Sequence, residues 1–450
     1  MNSGRFVPLV IEVLFLALWG VFTFILGLCL RSLRRFSKLF LVNLLHSPFT
    51  YSTLYMSRFF DEERADWIRG KVEGYSSWIE VDLDAIGFNL EQVRKMTGSE
   101  VVPCIKKNAY AHGIVHVVAY LMEKDVKRFL VAKLWEARQI RRAGLDSGVI
   151  NQDPLFTEEQ FAEVVESEIT QVIYHRDSAR RLSEAAVSAG KEASIWVKVD
   201  TGLGRAGVVY RESVELIAYI SGLPGLRIDA LYTTLLEDEN DPLQIQRLKD
   251  VKIALDKKGI IIPTLSIASS HGIFFDSDSH LDAVRPGVML FGWYPVPEAR
   301  KEPVEIHQAL SLKGRLEHVK WVDPGTPLTY GGTYISEKRM KVGTMHMGYS
   351  DGYLRQLSKK GIVKVEEKIC PIIGGVSINH FLVDLSGTEA EVGAVVDAVS
   401  YTGENDAHGL CDLAGVEPYQ LAVWMSPLTP RVYYRDKVPV ALSEPELKTL

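Results

Sequence analysis

Between Val101 and Phe291 the chain alternates eight times between short apolar runs and helical patterns, and no other feature restricts its fold as much. The apolar runs are Val101–Ile105, Phe129–Ala132, Gly148–Asn151, Gln171–Tyr174, Ser194–Val199, Ile228–Tyr232, Thr264–Ala268 and Val284–Phe291. Helical patterns such as Glu136–Ala143, Thr157–Glu166, Asp177–Ala189 and Ser213–Ile220 separate them. A strand that is followed by a helix must return parallel to the last strand, and eight such repeats predict an α/β fold with a (β/α)8 TIM-like barrel over residues 77–305. After about Glu305 helical periodicity fades. Short β-rich runs at Arg339–His346, Ile362–Val365, Pro371–Gly374, Phe381–Asp384 and Val395–Ser400 predict a mostly β C-terminal domain over 306–450.

The first 76 residues belong to neither pattern. Phe6 to Leu30 is apolar apart from Glu12. As a helix it would span roughly 37 Å, more than a bilayer core of ~30 Å. A signal peptide and a buried core helix are the competing readings. The run is long for a signal h-region, and no small-x-small cleavage pattern follows it. Arg31, Arg34, Arg35 and Lys38 follow the span, whereas only Arg5 precedes it. This charge bias predicts one transmembrane helix over about 6–30 within an anchor of residues 1–45, with the rest of the chain in the cytoplasm. Leu33, Phe36, Phe40 and Leu44 repeat at helical spacing beside those cations, which suits either an interfacial helix or packing on the folded domain. Residues 46–76 read as a linker.

A net charge of −6 on 450 residues gives no reason to expect a nucleic-acid partner and is too modest to imply disorder. Cys29, Cys104, Cys370 and Cys411 show no metal-ligand spacing, and no metal is expected. Gly202-Leu-Gly204-Arg-Ala-Gly207 fits the glycine pattern of dinucleotide sites, with Asp229 some twenty residues on, but the pattern alone is weak and a longer motif overlaps it.

Lys106 ends a β-rich run and opens the stretch Lys106-Lys-Asn-Ala-Tyr110-Ala-His112-Gly113. A lysine held at a strand end and partly desolvated tends toward the neutral amine that covalent attachment to an aldehyde requires. This stretch resembles the cofactor-lysine motif of alanine racemases, barrel enzymes that use pyridoxal 5'-phosphate. Four further blocks extend the resemblance in order: Lys198-Val-Asp-Thr-Gly-Leu-Gly-Arg205-Ala-Gly207, Arg285-Pro-Gly287-Val288, Tyr330-Gly-Gly-Thr-Tyr334 and Gly348-Tyr349-Ser-Asp351-Gly-Tyr-Leu-Arg355. Together they span about residues 77–435.

The resemblance implies an amino-acid racemase, an isomerase that interconverts L- and D-amino acids by two-base proton transfer. Lys106 is implied as the cofactor-bearing lysine and the base on one face. Tyr349 is implied as the base on the other, reaching in from a second subunit of a homodimer with shared sites. Tyr110, Ser270, Gly287 and Val288 match the phosphate-binding positions. Arg285 matches the arginine that faces the pyridine nitrogen; with a pKa above ~12 it does not protonate the ring, which limits side reactions. Arg205 matches a contact to the cofactor's phenolic oxygen and the substrate carboxylate, and Ile378 falls on the substrate side. Lys198 matches a lysine often carried as a carbamate that braces the arginine, although a lysine–acid pair would read the same. Lys106, Lys198, Arg205 and Ser270 fall at or after strand ends, where barrel chemistry is built, and Arg285 and Gly287 lie in the eighth run.

The chain also departs from the family pattern. Thr234, Ser266 and Ser269 stand where the family has two histidines and an asparagine that link the tyrosine to the ring arginine. Gly375-Val-Ser377-Ile378-Asn379 replaces an Arg-x-Cys-Met-Asp block, Pro427 replaces a tyrosine near the phosphate, and Ala111 replaces a glycine. These changes predict a retained cofactor site and an altered substrate, such as serine or a broader range. A related barrel-type decarboxylase and a catalytically degenerate protein that only binds the cofactor are the alternatives. D-alanine supply for a cell wall suits a membrane anchor by family analogy.

Overall fold

A computed structural model describes residues 58–445. The expected anchor and the first part of the expected linker lie outside these residues. Among the described residues no helix is long and apolar enough to cross a membrane. The later part of the linker region is not irregular: Ala65–Glu73 forms a helix, and its Ile68 packs against Trp78 and Val432.

The first strand, β1 (Ser77–Asp82), does not open the barrel as the 77–305 boundary predicts. It lies in a second sheet, between partners more than 200 residues away in sequence. The barrel strands are β2 (Glu100–Val101), β3 (Arg128–Val131), β4 (Gly148–Asn151), β5 (Thr170–Ile173), β6 (Ala193–Asp200), β8 (Leu226–Tyr232), β9 (Thr264–Ser266) and β10 (Ala283–Val284). A short β7 (Val208–Val209) pairs only with β6. The order β2-β10-β9-β8-β6-β5-β4-β3 is parallel throughout, and a Cys104–Leu130 bridge joins its two ends, closing eight strands. Val102, Leu130, Ile150, Val172, Trp196, Ala230, Tyr232 and Ala283 form the buried cluster along these strands, the filled interior expected of such a barrel.

The eighth strand is shorter than the apolar run Val284–Phe291 predicts. Pro286 has no N–H to donate, and the Gly287 amide turns to the Ser270 hydroxyl at 2.9 Å. Val288–Phe291 then forms a 3-10 helix. Buried Asn89 ties this helix to the segment leading into the second sheet, bonding the carbonyls of Leu290 at 3.1 Å and His307 at 2.8 Å.

The second sheet is built on β11 (Leu310–Val322), a 13-residue strand. Its further strands are β14 (Met340–Met345), β15 (Ile362–Val365), β16 (Lys368–Ile373), β17 (Phe381–Asp384), β18 (Val395–Val399), β19 (Arg431–Arg435) and β20 (Val438–Ser443), with β1, while β12 (Pro327–Leu328) and β13 (Tyr334–Ile335) form a separate two-stranded ribbon. Strand β11 pairs with β1 and β18 along its first half and with β14 along its second, so one strand joins both parts of the sheet. The region is not wholly β: helices Ala407–Ala414 and Pro418–Trp424 precede β19.

Candidate functional site

Lys106 stands at the entrance to an uncommon turn. Lys107, Asn108, Ala109, Tyr110 and Ala111 have φ of 54, 55, 53, 50 and 72°, five consecutive left-handed residues. For L-residues this conformation costs roughly 1–2 kcal/mol each, so it persists only where the surroundings impose it. The turn closes its own bonds, Ala109 N to Ile105 O at 2.9 Å and Ala111 N to Lys107 O at 3.0 Å. Asn108 Oδ1 accepts from Ile114 N at 2.8 Å. The buried carboxylate of Glu136 accepts from Lys107 N at 2.5 Å, Ala132 N at 3.0 Å and Lys133 N at 3.1 Å. The apolar run predicts a five-residue strand leading straight to Lys106. The strand stops at Val101, and the left-handed turn sets the lysine instead, leaving Lys106 half-buried and Lys107 exposed.

Tyr110 is buried, and its hydroxyl lies beside the Cys104 thiol; burial, then Cys104, pushes its pKa well up. A Cβ on Gly287 would come within 2.6 Å of that hydroxyl, so only glycine leaves the space between them open. Ser270 is buried opposite, and its Oγ accepts from Gly287 N and from Met289 N at 3.3 Å. The structure thus brings Tyr110, Ser270 and the Gly287–Val288 backbone to one place.

Arg285 is buried directly after β10. Nη1 donates to Ser266 Oγ at 2.5 Å, and Nη2 donates to Thr233 O at 2.6 Å and Ile267 O at 3.0 Å. Nε makes no bond among the described residues. Ser266 therefore holds the guanidinium although it replaces a histidine. Burial lowers the Arg285 pKa to about 10, and the group stays charged near neutral pH. Tyr232 lies under two of the cations of the barrel mouth, with Arg285 Cζ 4.9 Å and Lys198 Nζ 5.6 Å from its ring centroid. Gln152 donates to its hydroxyl at 3.1 Å.

Lys198, in β6, is buried and forms no salt bridge among the described residues. Burial first, then the charges of Arg205 and Arg285, bring its pKa down to about 8, with Asp200 opposing. The lysine–acid pair left open by the sequence is thus absent here. Arg205 is exposed in the loop after β6. Of the departed positions, Thr234 is joined through its carbonyl to Gln244 at 3.2 Å, and Ser269 Oγ donates to Glu237 at 3.2 Å.

Tyr349 is apart from this group. It sits in a turn after β14, 38% exposed, with Arg355 Cζ 5.7 Å from its ring centroid. Tyr349, Arg355, Gln356, Val423 and Trp424 line a cavity of about 660 Å³. Its amide donates to Ser377 O at 3.1 Å, and the Ser350 amide donates to Ile378 O at 3.1 Å, so the turn rests on the segment that carries Ile378. Ile378 and Pro427 are both exposed.

Sequence reasoning passed over Glu136, Gln152 and Tyr232 as site residues. Glu136 and Tyr232 were visible only as the ends of a helical and an apolar run, and the groups they hold are far away in sequence.

The donor set fits pyridoxal 5'-phosphate on three counts. A hydroxyl-and-amide pocket kept open by a glycine suits a phosphate. Arg285 Nε is uncommitted, and Lys106 is the half-buried amine beside them, with Nζ 5.8 Å from the Tyr110 ring centroid.

Comparisons with known proteins agree in identity and in extent. A family model for the alanine racemase N-terminal domain matches residues 81–295, and one for the alanine racemase C-terminal domain matches 309–433. The alanine racemase of Clostridium perfringens (strain SM101 / Type A) is 34% identical over 373 residues, covering 80% of this chain and 95% of the relative. The solved structure of alanine racemase from Clostridium difficile 630 superposes with a TM-score of 0.78 at 26% identity, covering 82% of this chain and 98% of that one. A solved alanine racemase from Bartonella henselae, 21% identical with a TM-score of 0.70, holds covalently bound pyridoxal phosphate; it covers 80% of this chain and 99% of its own.

Proposed function

Because the chain belongs to the alanine racemase family and is a pyridoxal-phosphate-dependent amino-acid racemase, we propose that it acts on an amino acid with a side chain larger than alanine's methyl, serine being the first candidate. The observation that carries this is the exposure of Ile378 and Pro427, two positions where the family pattern has other residues on the substrate side. A short ring-to-backbone proline in place of a tyrosine leaves room beside the substrate's β-carbon.

The mechanism rests on how the chain's own groups are held. Bound at this site, the cofactor supplies the electron withdrawal that makes an α-proton removable. Tyr110, Ser270 and the Gly287 and Val288 amides would hold its phosphate. Arg285, charged and buried, would hold the ring-nitrogen end of the cofactor and would not supply a proton to it. Arg205 binds the substrate carboxylate, and Lys198 braces it, best as a carbamate, since the charges of Arg205 and Arg285 bear on that amine more strongly than that of Asp200. Lys106 Nζ takes or returns the α-proton on one face. Tyr349 Oη does so on the other, from a second copy of the chain, which the exposed position of Tyr349 outside the barrel group supports.

The test is kcat/KM for L-alanine, L-serine and larger amino acids in both directions. Serine or a larger substrate is expected to exceed alanine; alanine clearly best at ordinary racemase rates removes the proposal. We place the catalytic portion at the cytoplasmic face of a membrane, on the apolar run 6–30 and the cations that follow it. Full-length chain should sediment with membranes through alkaline washing, and chain lacking residues 1–45 should stay in the supernatant and still take up cofactor. Full-length protein released by the wash would contradict the span.

A further inference from the structure

The second sheet carries a cluster that the racemase chemistry does not use. Strand β11 contains a bulge between Leu316 and His318, where Leu316 pairs with Met345 and His318 with Thr344. The extra residue is Glu317. A bulge re-aims the side chain at which it occurs. Glu317 meets His346, the residue after β14, and His380, the residue before β17. These three strands are neighbours in the order β11-β14-β17. Glu317 Oε2 lies 2.7 Å from His346 Nδ1, and Oε1 lies 3.1 Å from His380 Nε2. The two imidazole rings stand edge to face at 4.9 Å. One donor atom from each residue falls within 4.8 Å of the other two.

We propose that Glu317, His346 and His380 form a site for a divalent first-row transition ion of the zinc class, held by two imidazoles and one carboxylate. Zinc bonds nitrogen at about 2.0–2.1 Å, which sets tetrahedral ligand–ligand distances of ~3.4 Å. The two carboxylate–imidazole separations, 2.7 and 3.1 Å, fall somewhat short of that value, so small side-chain rotations that open the trio admit the ion. Two imidazoles and a carboxylate are a mixed N/O set that suits zinc and its neighbours, not the oxygen-only sets of magnesium or calcium. All three side chains are exposed, which leaves a fourth position for water or a further ligand.

The position has a consequence for the Tyr349 turn. His346 lies three residues before Tyr349, and His380 closes the 377–380 turn through Ser377 N to His380 O at 2.9 Å. The two turns are already stitched by Tyr349 N to Ser377 O and by Asn379 Nδ2 to Ser350 Oγ at 3.0 Å. An ion on His346 and His380 ties them a second time and stiffens the turn bearing Tyr349. The binding site itself stands whether or not Tyr349 is the second base.

The experiment uses the full-length, cofactor-loaded protein stripped of metal by a chelator. Zinc is titrated against a chromophoric competitor, and hydrogen exchange is followed in peptides covering 346–352 and 376–381. The expected result is saturable uptake of one zinc per chain, weakened at least about 100-fold in the His346→Ala/His380→Ala double variant and in Glu317→Gln, because losing a ligand costs more than losing its outer partners. His318→Ala, on the same strand, should bind as the parent does. Cobalt at the site should give visible bands without thiolate charge transfer, which separates it from the cysteines. No saturable uptake, or uptake unchanged in the double variant, overturns the site and leaves a hydrogen-bonded trio. Uptake with no slowing of exchange in either peptide overturns the stiffening of the turn.

Discussion

The barrel mouth and the Tyr349 corner are built on opposite terms. At the mouth, Arg285, Ser270 and Tyr110 are buried and bonded, and a strained left-handed turn is held by the buried Glu136 carboxylate. At the corner, Tyr349, Val423 and Trp424 are 38, 45 and 43% exposed around an open cavity. A group that must hold one cofactor in one pose gains from being locked before it binds. A group that works across an interface has to remain on the surface of its own chain. The difference fits the proposed division of labour, in which one chain completes the cofactor end of the site and a second chain supplies Tyr349.

The most severe way to break this comparison is to disable each end separately. Lys106→Ala should abolish borohydride-stable cofactor labelling and reduce racemisation by about 10⁴-fold. Tyr349→Phe should keep the label and lose about 10²–10⁴-fold in rate. Mixing the two inactive chains should restore part of the activity, because a mixed dimer carries one intact site. If subunit exchange is demonstrated and no activity returns, the corner does not serve a second chain's mouth.

A smaller effect tests whether the mouth is rigid because of Glu136. Glu136→Ala leaves three backbone N–H groups without their acceptor. Hydrogen bonds to charged groups contribute about 1.5–3 kcal/mol each and are not additive, so urea unfolding should show a loss of about 3–5 kcal/mol together with weaker cofactor uptake. An unchanged unfolding midpoint would mean that the turn holds itself.

The smallest effect concerns Lys198. Its folded pKa, about 8, lies below the ordinary lysine value, so the folded state releases the proton first. Stability should therefore rise as pH climbs from about 8 toward 10, where the unfolded chain still binds the proton and the folded chain does not. Below pH 8 both states are protonated and the penalty of the buried charge is present in full. In carbonate-free buffer Lys198→Met should unfold at a higher temperature than the parent at pH 7, and the gap should narrow toward pH 10. A gap independent of pH would place the amine in water.

Much of this was legible in residue order. The apolar run Gly148–Asn151 became a strand with the same bounds, and Thr157 caps the helix that its pattern opens. The resemblance named Tyr110, Ser270 and Gly287 for one phosphate site, and these residues do lie together. The failures share a cause. Val288–Phe291 looks like a strand because it is apolar, yet Pro286 removes the ladder donor just before it. Strand β1 falls inside the span 77–305 read as barrel and is not among the expected strands, and its partners are Leu312 and Val432, which no local pattern can reveal.

The sequence by itself determined the barrel, the β-rich second region and the family, because strand–helix alternation and short motifs are written within tens of residues. Only the tertiary structure decided how Lys106 is presented, since five left-handed residues without glycine go against local preference and are held by a carboxylate from a later helix. It alone placed Ser266 on Arg285, left Lys198 without a salt bridge among the described residues, and joined Glu317 to His346 and His380. Each of these is a short-range contact between residues far apart in the chain, and such contacts exist only once the sheets have formed.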